Sequence, residues 1–189
     1  MSREVKFSNY SMMTGKKYDD EWWEWCIFVD DTESVICEIV QVEYTLHRSF
    51  PDPIRTITDN TYRFALYSSG WGQFTANIEV LFKDNSTINQ SHFVRFSYDG
   101  WPVKEEPSHF DTPNEKDVYY AIKDGNYRWR KTDTIVRATH LPNKQVAEIL
   151  ATLEEKELVR RSPFKAIDQS DMWGITAVVG CYPPQVIGG

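Results

Sequence analysis

The stretch that decides the fold is Phe74–Phe82, with the sequence FTANIEVLF, in which apolar and polar residues alternate. Successive side chains of a β-strand point to opposite faces, so a period of two predicts a strand with one buried face. Asp84-Asn85-Ser86 follows and is typical of a turn. The apolar members of the strand are Phe74, Ala76, Ile78, Val80 and Phe82.

Shorter runs on either side of this stretch predict further strands. They are expected at residues 25–29, 34–46, 62–66 and 93–98. In residues 34–46 the alternation changes phase between Ile39 and Val40, which a strand can do only through a bulge or a break. Several short strands separated by turns predict an all-β antiparallel sandwich over residues 21–100.

The composition favours a folded, aromatic-rich chain. Hydrophobic residues make up 41% and aromatic residues 14% of the 189 positions, which is enough for a packed core and favours β structure. Residues 1–20 are polar with little periodicity, so we expect a loosely held N-terminal lead-in there. The first residues lack the apolar core of a secretory signal, and no run approaches the roughly 20 apolar residues that span a bilayer.

The pattern changes after residue 100. Residues 101–111 contain two prolines and are predicted to be a linker. The following Thr112-Pro113-Asn114-Glu115 has the spacing of a helix N-terminus with proline at the first helical position. Helices are expected at 112–124, 133–139 and 143–156, and strands at 158–161 and 172–176. This is the order of a winged helix, so residues 112–189 are predicted to be a small α+β winged-helix domain with a short C-terminal tail.

Charge is distributed unevenly along the chain. Residues 1–110 carry ten Lys and Arg against 17 Asp and Glu, a net charge of −7, whereas residues 111–189 carry 11 of each kind. The first half therefore repels nucleic acid and the second half does not. The three cysteines and four histidines have no spacing typical of a disulfide framework or a metal site. We expect a cytoplasmic protein with no metal and no cofactor.

Two loops carry residue types that favour a binding site. Residues 46–55 leave a strand and enter a loop with two prolines, and Gly70-Trp71-Gly72 leads into the central strand. The glycines let the backbone approach a ligand and expose its N–H groups, and an aromatic ring beside such donors suits a flat, neutral, polar group. A structural role is the alternative, with His47 hydrogen-bonded at a strand end and Trp71 closing the end of the sandwich.

Taken together, these segments resemble the YEATS family, and the chain looks like its prokaryotic branch. The family's motifs occur in order and spacing as Leu46–Pro51, Pro53–Arg55, Gly70–Phe74, Phe82–Asp84 and His92, and Trp25–Val29 fits its first core strand. The resemblance covers about residues 20–100. It implies an immunoglobulin-like sandwich that reads acetyl-lysine or crotonyl-lysine, so the implied partner is an acylated lysine on a protein or peptide.

The resemblance also implies roles for individual residues. Phe50 and Trp71 would enclose the flat acyl group, and Ser49 would hydrogen-bond the amide. The backbone N–H of Trp71 would donate to the amide oxygen, and Gly72 would leave room for the acyl tip. The implied acyl-lysine-binding residues are His47, Ser49, Phe50, Gly70, Trp71 and Gly72, with Trp22 or Trp23 as the candidate for a third wall that has no clean match.

The predicted winged helix raises a second candidate interface. If its third helix entered a DNA major groove, Lys144 and Gln145 near the N-terminal end would meet the bases. Arg160, Arg161 and Lys165 would then contact phosphates from the wing. Glutamates at 148, 154, 155 and 157 oppose a polyanion, and a protein–protein winged helix is the alternative. Nucleic acid is therefore not the favoured partner.

The sequence favours a binding protein over an enzyme, since no catalytic or phosphate-binding motif occurs. His47, Ser49 and Asp52 have the residue types of a nucleophile set, but a Ser two residues from a His on an extended segment is not expected to hold a fixed hydrogen bond to it. The leading hypothesis is an acyl-lysine reader. The alternatives are a DNA-binding regulator and a protein–protein scaffold in a prokaryotic signalling or defence system.

Overall fold

In a computed structural model, the chain divides into two compact units, Met1–Gly100 with Tyr182–Gly189 and Trp101–Cys181. The structure describes residues 3–98 and 100–186. Residues 182–186 of the predicted C-terminal tail belong to the first unit. Residues 187–189 of the tail and residues 1–2 of the predicted lead-in lie outside the described residues. Across the described ranges, no helix has the length and apolar character needed to cross a membrane.

The described part of the first unit consists of seven strands and one helical turn. Their bounds are Phe7–Lys17 (β1), Asp20–Val29 (β2), Glu33–Ile36 (α1), Ile39–Thr45 (β3), Ile54–Ile57 (β4), Leu66–Gly70 (β5), Phe74–Phe82 (β6) and Thr87–Val94 (β7). Adjacent strands pair antiparallel in two sheets, with the orders β1-β2-β5 and β4-β3-β6-β7. Sheets of three and four strands packed face to face form the sandwich that the sequence predicted.

Both sheets contribute one face to a single apolar core. Trp25 and Ile27 of β2 are fully buried, and so are Val42 of β3 and Val80 of β6. Strand β6 has the predicted bounds, and every second side chain from Ala76 to Phe82 is buried. Burial of one face in this strand fixes its register, because a slip of one residue would turn the apolar side chains to solvent.

Three strand predictions need correction. The segment 34–46 is a helical turn, α1, followed by β3, and the predicted change of phase coincides with a register shift between Ile39 and Gln41. Residues 62–66 lie mostly in a turn in which Arg63 and Phe64 have left-handed φ angles of 59° and 54°, so the strand starts only at Leu66. The last strand of the sandwich is β7 at Thr87–Val94, earlier than predicted, and β4 was not predicted.

The predicted N-terminal lead-in is wrong for residues 7–17. This segment forms β1, which pairs along its length with β2 from Phe7 opposite Val29 to Lys17 opposite Asp20. An edge strand has a neighbour on one side only, so polar side chains are tolerated and the apolar alternation is weak. The strand is held by main-chain hydrogen bonds to β2, and these do not require any particular pattern of side chains.

The second unit contains the helices and short strands predicted from the sequence, with one added strand and one added helical turn. The bounds are Pro113–Lys123 (α2), Arg130–Lys131 (β8), Thr132–Thr139 (α3), Asn143–Glu155 (α4), Val159–Arg161 (β9), Met172–Ile175 (β10) and Thr176–Val179 (α5). Helix α2 begins as predicted, since the Thr112 hydroxyl accepts from Glu115 N at 3.1 Å and Pro113 occupies the first turn. The strands form a sheet in the order β8-β10-β9.

Candidate functional site

The loop between β3 and β4 is closed by main-chain hydrogen bonds at both ends. Leu46 N donates to Pro53 O at 2.8 Å, and Phe50 N donates to His47 O at 3.0 Å. The Arg55 side chain donates to the carbonyls of Pro51, at 2.5 Å, and Asp52. Since prolines lack an N–H group, this guanidinium supplies donors that the loop cannot provide itself. The loop is therefore held in one shape, with His47 and Ser49 exposed at its tip.

His47 and Ser49 are joined by hydrogen bonds. His47 Nδ1 lies 2.9 Å from Ser49 Oγ and accepts from Ser49 N at 3.3 Å. The expectation that this pair holds no fixed hydrogen bond is therefore wrong, because the turn folds the serine back toward the imidazole. A serine hydroxyl has one hydrogen to donate and two lone pairs, so Ser49 Oγ keeps capacity to accept from an approaching N–H group in either tautomer of His47.

Phe50 joins this loop to the core of the sandwich. Its half-buried ring packs edge-on against Trp25, at 5.8 Å between centroids, and is tilted against Phe74 at 5.1 Å. A methyl group built on Gly70 would lie 3.4 Å from Phe50 Cζ. The Phe50 ring therefore lies close to Gly70, which places the β3–β4 loop against the end of β5.

Trp71 is the exposed member of the site. It follows the last residue of β5 and leaves 62% of its surface accessible, which is unusual for the largest side chain. The next residue, Gly72, has only open space around the position that a Cβ would take. The Trp71 ring and the Phe50 ring thus belong to two adjoining loops, with free volume beside Gly72.

The candidate for the third wall, Trp23, packs against two aromatic residues that the sequence analysis missed. Trp23 is 3% exposed and stacks on Phe96 with 5.1 Å between ring centroids, while Tyr98 packs edge-on against it at 5.0 Å. Gln73 fixes this segment to the Gly70–Phe74 loop, because its Oε1 accepts from Phe96 N at 2.9 Å. The alternation Phe96-Ser97-Tyr98 was interpreted as part of a strand, although it follows the last residue of β7.

Trp22 and Trp23 lie on opposite faces of β2, as neighbouring residues of a strand must. Trp23 pairs with Gly70 of β5, next to Trp71, whereas the ring of Trp22 lies under the ammonium group of Lys17 at 4.6 Å. Of the two predicted candidates for a third wall, Trp23 is therefore the one beside the two loops.

A carboxylate lies beside this aromatic wall. Tyr98 is 74% exposed, and its hydroxyl donates to the Glu21 carboxylate at 2.6 Å. This hydrogen bond to an anion raises the pKa of Tyr98 above its usual value. The same hydrogen bond helps to hold the Tyr98 ring beside Trp23.

The predicted nucleic-acid contacts do not form a free basic surface. Arg160 is 1% exposed, and its guanidinium donates to the carbonyls of Gly180 at 2.7 Å and Val179 at 2.9 Å, so its assignment to phosphate contact is wrong. It also lies over the rings of Trp101 and Trp129, at 5.1 and 4.8 Å, which explains how a cation is accommodated in the core.

The other predicted contacts are exposed or half-buried and close to acidic groups. Arg161 lies 3.9 Å from both Glu154 and Asp171, and Lys165 pairs with Asp171. Lys144 lies 3.9 Å from Glu148, and Gln145 is half-buried. Each cation therefore has an acidic neighbour, which reduces the positive potential that a phosphate backbone would meet.

Among protein families, the model of the prokaryotic YEATS domain matches residues 23–95. This region is similar to prokaryotic YEATS domains. The match contains both loops and the strands that position them, including His47, Phe50 and Trp71.

Curated proteins similar to this chain include two AF-9 homologs. The protein AF-9 homolog of Kluyveromyces lactis is 37% identical over 76 residues, which are 38% of this chain and 34% of that protein. The protein AF-9 homolog of Saccharomyces cerevisiae is 30% identical over 132 residues, 67% of this chain and 55% of that protein. The chain thus spans between a third and just over half of the length of these relatives.

Solved structures with some similarity come from the same group of proteins. A crystal structure of the yeast AF-9 homolog Yaf9 is 27% identical, with a TM-score of 0.41 over 48% of this chain and 65% of that chain. The Yaf9 YEATS domain bound to acetylated histone H3 is 25% identical, with a TM-score of 0.39 over 50% and 78% of the two chains.

Proposed function

We propose that the YEATS-like sandwich binds an acylated lysine side chain between the β3–β4 loop and the Gly70–Phe74 loop. The observation that carries this proposal is the contact of Phe50 with Gly70, which brings the two loops together while Trp71 stays exposed. A half-buried ring on one side and an exposed ring on the other suit a flat, neutral group that has to enter from solvent.

The polar groups at the site match the amide of an acyl-lysine. The Ser49 hydroxyl is already bonded to His47 Nδ1 and keeps acceptor capacity for the amide N–H of the ligand. The backbone N–H of Trp71 is the proposed donor to the amide oxygen. An unmodified lysine would bring a charged ammonium group to this place, and removing that charge from water costs more than removing a neutral amide.

Affinity is expected to be modest. An aromatic contact contributes about 0.5–1.5 kcal/mol beyond the buried area, and a neutral hydrogen bond contributes about 1 kcal/mol net. After the costs of immobilising the peptide, such terms correspond to dissociation constants in the micromolar range or weaker.

The test is a calorimetric titration of the protein with one lysine peptide in unmodified, acetylated, crotonylated and succinylated forms. Selective binding of an acylated form is expected, and the Trp71→Ala variant should lose at least about tenfold in affinity, since an aromatic wall disappears. Trp22→Ala is the matched control, because Trp22 lies on the opposite face of β2 and should leave the affinity unchanged. Equal affinity of the wild-type protein for acylated and unmodified peptides would rule out an acyl-lysine site.

For the second unit, we propose a winged-helix-like domain that contacts protein. The order α2-β8-α3-α4-β9-β10, with a sheet in which β10 lies between β8 and β9, supports the winged-helix assignment. The burial of Arg160 and the acidic neighbours of Arg161 and Lys165 favour a protein partner over DNA. Retention of duplex DNA that weakens steeply with salt would contradict this proposal.

A further inference from the structure

The turn between β4 and β5 carries a second set of groups arranged like a binding site. The Arg63 side chain is largely buried, with its guanidinium fixed by a 2.5 Å ion pair to Glu33 and a 2.9 Å hydrogen bond to Asp31 O. Both partners belong to the sandwich, so the remaining Nε–H group is oriented before any other segment binds. The neighbouring Tyr62 presents its ring and its hydroxyl at the same turn.

The segment Tyr182–Val186, with the sequence YPPQV, occupies this surface. Arg63 Nε donates to Pro184 O at 3.0 Å, and Val186 N donates to Thr61 O at 3.1 Å. The rings of Tyr182 and Tyr62 stack at 4.1 Å between centroids, and Gln185 Nε2 donates to the Tyr62 hydroxyl at 3.1 Å.

Proline-containing segments suit such a surface. Two consecutive prolines restrict φ, so the segment loses little conformational freedom on binding, and its carbonyl groups remain exposed as acceptors. Aromatic side chains and a fixed donor are the groups by which proteins commonly recognise peptides of this kind. Pro183 is buried and Tyr182 and Val186 are half-buried, whereas Pro184 and Gln185 are exposed, so part of the segment fills the surface while the rest faces solvent, as in a docked peptide.

We propose that the surface formed by Thr61, Tyr62 and Arg63 is a docking site for proline-containing peptides and that Tyr182–Val186 is its occupant within the chain. A polypeptide of another protein with an aromatic-Pro-Pro sequence binds there when this segment leaves. The proposal rests on contacts within the first unit and does not depend on the acyl-lysine site.

The test uses the full chain and a fluorescent peptide with the sequence of residues 182–186. Wild-type protein should bind it weakly, because the chain's own segment competes, and Tyr182→Ala should bind it at least about tenfold more tightly. Adding Tyr62→Ala to this variant should abolish binding, and a peptide with serine in place of both prolines should not bind. Equal affinity of wild type and Tyr182→Ala, or equal affinity for the two peptides, would overturn the proposal.

A measurement on the wild-type protein keeps the test decisive if a variant fails to fold. The amide of Val186 donates to Thr61 O in the docked segment, whereas the amide of Val29 donates to Arg63 O inside the sandwich. Local opening predicts that the Val186 amide exchanges with solvent at least about a hundredfold faster than the Val29 amide. Equal exchange rates would mean that the segment is a permanent part of the fold.

Discussion

At the scale of single residues, Phe50 and Trp71 differ in environment although both are large aromatic residues in loops. Phe50 packs on Trp25 and Phe74 in the core, whereas Trp71 is 62% exposed. The sequence motifs predicted that both belong to one site, but they contained no signal for this difference. It depends on the folded β3–β4 loop, which turns the Phe50 ring toward Trp25 in the core.

Gly72→Ala should separate binding from stability. A Cβ at this position meets no atom within 4 Å, and Gly72 has no left-handed φ angle, so the fold should tolerate the change or gain up to about 1 kcal/mol. The methyl group would occupy the space proposed for the acyl tip, so the affinity for an acylated peptide should fall about tenfold. Calorimetry and thermal unfolding measure the two effects.

Gly174→Ala is the control for this substitution, because it should lower stability without affecting peptide binding. A Cβ there would lie 2.7 and 2.8 Å from the two methyl groups of Val179, so overpacking should cost the second unit about 1–3 kcal/mol. Affinity for the acylated peptide should stay unchanged. A loss of stability in Gly72→Ala with unaltered binding would contradict the assignment of the open space.

At the scale of elements, β1 supports the aromatic cluster proposed as the third wall of the site. Ser11 is 2% exposed, and its hydroxyl accepts from Ser97 N at 2.8 Å, which ties β1 to the segment that carries Phe96 and Tyr98. The strand was not predicted, because its role depends on polar contacts with residues more than 80 positions away. Such contacts have no local periodicity and cannot be deduced from one sequence.

Ser11→Ala should therefore affect both stability and the site. Without this acceptor, the stability of the first unit should fall by about 1–3 kcal/mol, and the acylated peptide should bind less tightly because the aromatic wall is less well positioned. Ser8→Ala is the matched control on the same strand, since the Ser8 hydroxyl bonds Asp30 at the exposed surface. Denaturant unfolding measures the stability of both variants, and peptide titration measures their affinity. Equal losses in Ser11→Ala and Ser8→Ala would refute a special role for Ser11.

The contact between β1 and β7 predicts that the stability of the folded protein depends on pH. His92 Nε2 lies 3.0 Å from Asn9 Oδ1, and burial lowers the pKa of His92 below its usual value of 6.5. The unfolded chain therefore takes up the proton at a higher pH than the folded chain, so the contribution to stability is complete above about pH 6.5 and is lost as the pH falls below it.

Thermal unfolding at about pH 7.5 and about pH 5.5 measures this effect. The decrease in Tm on acidification should be smaller in His92→Gln, since glutamine retains a donor for Asn9 and does not titrate. His109→Gln is the control, because His109 is exposed in the second unit. A His92→Gln variant with the same decrease as wild type would assign the pH dependence to other groups.

At the scale of the whole molecule, the sequence predicted more of the architecture than of the surface chemistry. The sandwich, strand β6 and the three main helices follow from apolar periodicity and helix capping. Burial of a charged residue does not follow from these patterns, and Arg160 was therefore misassigned to the surface. Its carbonyl acceptors at Gly180 and Val179 come from a turn that only the folded chain brings into place.

The uneven charge predicts how binding depends on salt. Residues 1–110 carry a net charge of −7. An acylated peptide with basic flanking residues should therefore bind several-fold more weakly when NaCl is raised from about 50 to about 500 mM, because salt screens exposed charges. The same peptide with uncharged flanks should show little change. Equal salt dependence of the two peptides would mean that the negative charge of this half does not contribute to binding.

The most direct test of the central claim is the detection of nuclear Overhauser effects between an acylated lysine peptide and the protein. Contacts from the acyl methyl protons to ring protons of both Phe50 and Trp71 are predicted, because the two rings would enclose the acyl group. Contacts to neither ring in a peptide complex that forms would contradict the proposed site and place the ligand elsewhere on the molecule.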